Sequence, residues 1–248
     1  MNTALKQTNA FEAELETVVK RLQTLIIKNA KSGYLFSLNA EERIKFAPDL
    51  YNGLIDALNN SGYQELVAKL LAQDKDLIAE IRSIRGANGL PTSFSKTSTE
   101  VFNAFRNMEL AQFEDIQEGF ARSLHQELMH FALTGVSEDV FIQTIYDRLE
   151  SGFKRYARTY AITSRAQFIQ QVQDEAAKNY DGELFWEYVG PEDDRMRDAC
   201  IEGMAKRYFT NEERIDFELA TAEERAWNCR HTFEQISKQD YEVNNNGR

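Results

Sequence analysis

Proline and glycine are scarce, with three prolines and twelve glycines in 248 residues. A turn-rich β architecture draws on both residues heavily, so their shortage argues for long helices instead. Two cysteines and three histidines are too few for a disulfide framework, yet enough for one metal site. No stretch of about 18 apolar residues is present, which excludes a helical membrane span, and no basic-then-apolar leader is visible. The chain is therefore expected to fold in a cytoplasm and to have no membrane partner.

Basic charge is also in short supply, and the formal net charge is −11. The deficit is local: residues 1–92 hold eleven basic and eleven acidic side chains, whereas 17 acidic face 9 basic from Asp181 onward. An acidic C-terminal third repels a phosphate backbone, so non-specific nucleic-acid binding by that third is disfavoured. What the chain does have is 42% hydrophobic and 11% aromatic residues, ample for a packed core.

Apolar residues recur at helical spacing in several runs. Leu15, Val18, Val19, Leu22, Leu25 and Ile26 mark a helix over 11–29, stopped at Ser32-Gly33. Asn39 followed by Glu41 and Glu42 predicts a new helix start. One further helix is expected over 64–85 and a linker over 86–98, where two glycines and a proline cluster. A long helical region follows over 99–133. Ser137 then caps another helical run reaching about Asn179, with a break at Ser151-Gly152. Arg158 and Arg165 lie seven apart on that run beside Arg155; a solvated face is the expected outcome, with binding to an acidic partner surface or to backbone carbonyls as the alternative. Trp186 and Tyr188 alternate with Glu187 and Val189 as a short strand; a helix over 194–207, a charged loop over 211–227 and a last strand over 231–236 complete the chain. The expected fold is mainly α with a small C-terminal α+β module. Its expected parts are an N-terminal helical region (1–90), a long-helix region (99–180), the module (181–237) and a disordered tail (238–248).

The module holds the informative residues. Cys229 and His231 stand two apart at a strand start, so their side chains share a face. Cys200, on the preceding helix, adds a third soft donor. With Asp194, Asp198 or a water as fourth ligand, these three would form a tetrahedral zinc site. Two other readings stay open: small buried hydrophobic cysteines with His231 capping the strand, or a Cys200–Cys229 disulfide, which needs an oxidising compartment. Arg195 and Arg197 are expected to pair with Asp193, Asp198 or Glu202 in a salt-bridged scaffold around Trp186, with a partner-binding role as the alternative. The acidic run Glu192-Asp193-Asp194 invites a Mg²⁺ nuclease reading, yet no second carboxylate set, phosphate loop, nucleophile elbow or His-Glu-x-x-His accompanies it.

The order Trp186, Asp194, Arg195, Arg197, Cys200, Gly203 and Asn228-Cys229-Arg230 resembles the C-terminal module of the Mu F-like head morphogenesis proteins of tailed phages. That module has a Trp-bearing strand, an Asp-x-Arg-x-Arg-x-x-His or Cys segment, a following Gly and a closing Asn-Cys-Arg-Cys. Ala157-Arg158-Thr159 and Thr163-Ser164-Arg165-Ala166 resemble turns of the family's preceding helix, and the likeness covers about 100–237. The chain departs from the pattern at His231, where Cys is common, after Thr159, where no Glu follows, and at Thr221 to Ala226, which replace a Pro-rich approach. The resemblance implies a minor capsid component, not an enzyme, that binds a portal, capsid or scaffold protein during procapsid assembly and DNA packaging. Its place would be the virion, at the head interior or portal vertex, after assembly in the host cytoplasm; in some relatives contact with packaged DNA is implied as well. Two rival readings are a metal-dependent enzyme (a nuclease or toxin-like effector) on the same module, and a helical adaptor unrelated to phage.

Overall fold

The computed structural model of the chain describes residues 2–32, 35–178, 180–225 and 229–245. It is mainly α, with long helices and one small antiparallel sheet near the C-terminus. None of its helices is long and apolar enough to cross a membrane, among the described residues. The chain divides into two compact units, each built from separated segments: residues 1–8, 72–109 and 159–248 form one, and 9–71 with 110–158 form the other. This division differs from the sequential one expected at 90 and 99. The expected linker lies within the first unit, where Arg85 donates to the Pro91 carbonyl at 2.8 Å.

The second unit draws on α1 (Asn2–Ser32), α2 (Ala40–Asn59), α3 (Tyr63–Ala72), α5 (Lys96–Thr134) and α6 (Glu138–Arg148). Start signals behave as expected. The Asn39 side chain accepts from the Glu42 amide while the Glu42 carboxylate accepts from the Asn39 amide, and Ser137 accepts from the Val140 amide. The break expected at Ser151-Gly152 is a π-helical turn, Leu149–Lys154, leading without interruption into α7 (Arg155–Ala177). Aromatic rings fill this unit: Phe153 meets Tyr63 at 4.8 Å and Phe120 at 5.1 Å.

The single helix expected over 64–85 is two, α3 and a second helix that belongs to the first unit. Asp74 opens α4 (Asp74–Ala87), and Asp74 with Asp76 in its first turn complements a new helix N-terminus. Leu77 and Ile81 of α4 pack with Phe102 of α5 and with Phe168, Ile169 and Val172 of α7. The sheet has the order β2-β1-β3, with β1 (Phe185–Val189) central and antiparallel to β2 (Tyr208–Thr210) and β3 (Thr232–Ile236). Phe185 pairs with Thr210 and Tyr188 with Phe233, which sets the register. Around the sheet run α8 (Asp198–Lys206), α9 (Asn211–Ala220), α10 (Ala222–Arg225) and α11 (Lys238–Asn245). The expected disordered tail is thus helical as far as Asn245. Ser237 accepts from the Asp240 amide at its start, and Tyr241 anchors it by packing, tilted, on Phe185 at 4.5 Å. Asn246 to Arg248 lie outside the described residues.

The expectation of a solvated Arg165 is corrected. Its side chain is 1% exposed and is held by Asp74 and by Glu109, the latter at 2.7 Å. Burial of this cation is possible because two carboxyl groups face one guanidinium. Burial pushes the Glu109 carboxyl up from 4.5 to about 7, with Asp74 adding to the effect and Arg165 opposing it. Asp74 is raised too, again mainly by desolvation.

The sign of the pH dependence follows. Between pH 4.5 and about 7 the unfolded chain ionises Glu109 while the folded chain keeps its proton, so stability falls as pH rises through that window. The loss is on the order of 3 kcal/mol. Chemical denaturation should therefore show stability decreasing from pH 5 to pH 7.5 in the native chain, with a flatter profile in Glu109→Gln. Parallel profiles in the two proteins would contradict the assignment.

Candidate metal centre

The site is assembled from the end of β1 outward. Tyr188 has no exposed surface, and its ring packs against Phe209, Phe217 and Phe233. His231 stands just before β3, next to the end of β1, and stacks on the Tyr188 ring at 5.4 Å with 11° between planes. Such an approach needs bare backbone opposite: a Cβ on Gly190 would lie 2.2 Å from the His231 Cδ2. Gly203 plays the same part on the helix side, since a Cβ there would lie 2.5 Å from the Tyr188 ring. Removing the side chain at both positions lets α8 and the 229–231 segment close on one tyrosine.

That closure brings together the three donors singled out from sequence. The Cys200 sulfur, in α8, lies 4.0 Å from the Cys229 sulfur. With a His231 ring nitrogen, the three donor atoms all fall within 4.8 Å of one another. All three residues are buried, His231 at 3% exposed, and neither of its ring nitrogens has a hydrogen-bond partner among the described residues. The thiols interact unequally. The hydrogen bond from Cys200 pulls the Cys229 thiol below its ordinary pKa, opposed by burial and helped by His231 and Arg225, while the same contact pushes Cys200 up. Cys229 is thus the more readily ionised of the two.

Charged neighbours fix the backbone that carries the donors. Arg230, between Cys229 and His231, grips Asp193 with a two-pronged contact of 2.7 and 2.5 Å. Those hydrogen bonds hold the Asp193 carboxyl well below the usual range. On the other side, the Glu224 carboxylate accepts from the Ala199 amide at 3.2 Å, and Arg197 donates to the Glu224 carbonyl. The Arg197 side chain therefore finds a carbonyl of α10 rather than the carboxylates expected for it. Arg195 does pair with Asp193, at 3.5 Å. Trp186 is 1% exposed, donates to Asn211 at 3.2 Å and carries the Arg214 guanidinium 4.0 Å over its ring. It is core, not partner surface.

Asp194 and Asp198 are exposed and stand apart from the cluster, so neither completes the ligand set as expected. Asn228 lies outside the described residues. Sequence reasoning missed Gly190, Arg225 and the Asp193–Arg230 pair. Only the last left a signal, an acidic run facing an arginine embedded in the Cys-Arg-His motif.

Comparison with models of protein families, with curated proteins and with solved structures returns no match.

Chemically, two sulfurs and an imidazole nitrogen suit a soft or borderline divalent ion. A tetrahedral ion with sulfur at about 2.3 Å sets two sulfurs about 3.8 Å apart. The 4.0 Å separation fits that arrangement and is far from a covalent disulfide; both cysteines are free thiols.

The glycine argument is testable by a pair of alanines. Gly203→Ala drives a methyl into the buried Tyr188 ring and should destabilise the chain by about 1–3 kcal/mol in urea denaturation. Gly119→Ala, in α5 where no atom lies within 4 Å of the added Cβ, should instead be neutral or stabilising by up to about 1 kcal/mol. Equal effects would contradict the close packing of α8 on Tyr188.

Proposed function

We propose that the chain is a minor head morphogenesis protein of a tailed phage, acting by binding at or near the portal during procapsid assembly and DNA packaging. Its C-terminal module would be stapled by one Zn²⁺ on Cys200, Cys229 and His231. The observation that carries this reading is the convergence of the Mu F-like pattern residues. Trp186 fills the core, Arg197 ties down Glu224, Gly203 admits Tyr188, and Arg230 fixes the segment bearing Cys229 and His231. Residues scattered along the sequence thus serve one small construction, which argues for an inherited module over a chance order of letters.

Zinc is favoured over harder cations because the donors are two sulfurs and a nitrogen with no carboxylate among them. The mechanism in this reading is binding: the module is a rigid platform, and the exposed Asp194 and Arg195 at its rim are left to face a portal, capsid or scaffold protein. The finished protein would reside in the virion after assembly in the host cytoplasm.

Two measurements on the full chain test the proposal. Elemental analysis of purified protein should give close to one zinc per chain, and Cys229→Ser should lower both metal content and melting temperature. Metal-free protein with an unchanged melt in the variant would sink the zinc staple. Co-expression with the portal protein encoded nearest the gene, followed by sedimentation, should show co-migration with the portal ring. A metal-replete chain that stays clear of portal, capsid and scaffold proteins alike would sink the assembly role.

A further inference from the structure

We infer that the metal centre keeps one coordination position open to an exogenous small ligand, a water or a monodentate anion, rather than being a closed structural site. The inference rests on the metal reading above.

Closed structural zinc sites are completed by four protein ligands, whereas three protein ligands leave a position for an outside molecule. Here the cluster has three donors, and no further His, Cys, Asp or Glu joins it among the described residues. The two ligands on the loop, Cys229 and His231, also border a cavity of about 100 Å³, and Cys200 does not. Thr163, Gln167 and Gln170 of α7 and Arg225 of α10 form much of its wall. Gln167, in its wall, is exposed. Water occupies roughly 30 Å³ in the liquid, which leaves room for a ligand of a few heavy atoms.

The lining also states the sign of that ligand. Two thiolate ligands would cancel the charge of a divalent ion, and an imidazole ligand would add none. Among the described residues, Arg225 is the cation in the wall, beside Cys229, and no carboxylate lines the cavity. The Arg225 guanidinium is fixed in place by lying 5.2 Å over the Tyr188 ring and 5.5 Å over Phe217. A neutral metal centre beside a fixed cation favours a small anion over a second cation or an apolar group. His231, 3% exposed, borders the cavity together with Cys229, so an ion held by these two residues lies against its wall.

The test replaces zinc by Co²⁺ in the full chain and uses sodium azide as the probe. Bound cobalt should show sulfur-to-metal charge transfer in the near ultraviolet, and azide should shift its visible bands saturably. Arg225→Gln should keep the charge-transfer band but weaken azide binding by about tenfold, the order expected for one lost charge-assisted contact. Cobalt that shows charge transfer while its visible bands ignore saturating azide would overturn the open position and leave the metal site standing. Azide binding undiminished in Arg225→Gln would overturn the placement of the ligand in this cavity. Failure of the chain to bind cobalt at all would overturn both readings together.

Discussion

Tyr188 sits near the end of the central strand with no exposed surface, and the C-terminal module closes around its ring. Phe209, Phe217 and Phe233 pack against it, His231 stacks on it, and α8 comes close enough that residue 203 has no room for a methyl group. Its amide is also used, donating to the Arg207 carbonyl at 2.7 Å. Arg207 ends α8 in a left-handed conformation, φ 62°, and its side chain is tied to Glu187 on β1 at 2.8 Å. One buried aromatic residue thus fixes where α8 ends and where the 229–231 segment lies. Cys200 and Cys229 meet as a consequence.

Arginine does much of the remaining positioning, and Arg165, Arg230, Arg214 and Arg85 do so with different sets of partners. Arg165 faces two carboxyl groups, Arg230 forks onto one, and Arg214 combines Asp174 with the face of Trp186. Arg85, with no exposed surface, has carbonyl and amide acceptors: Pro91, Ala176 and Gln235. Burial alone lowers its pKa to about 10, so it remains charged at neutral pH. The Ala176 carbonyl lies at the C-terminal end of α7, where the helix dipole favours a cation. Arginine suits these roles because its planar fork fills several acceptors at once and stacks on rings, which lysine cannot do.

Much of this was legible in the sequence, and the physical reasons separate what was from what was not. Helix starts at Asn39 and Ser137 announced themselves because a cap is a local device, readable within four residues. The three metal-donor candidates were identifiable by chemistry alone, since cysteine and histidine are rare in this chain. Strand β2 escaped notice because three residues cannot show an alternation. The split at Gln73 was hidden by apolar spacing that runs on through both helices, and the helical tail by a composition that looks solvated until Tyr241 finds Phe185. Arg165 was misread because its partners, Asp74 and Glu109, lie 91 and 56 positions away in the chain. Periodicity reports which residues share a face; it carries no information about what that face meets.

The measurement that bears most directly on the whole account is X-ray absorption at the zinc edge of the purified full chain. Convergence of Cys200, Cys229 and His231 on one ion predicts an inner shell of two sulfurs at about 2.3 Å with nitrogen or oxygen donors at about 2.0–2.2 Å making up the rest. A shell without sulfur, or one of four sulfurs shared between chains, would mean that the three side chains gathered around Tyr188 do not hold the metal.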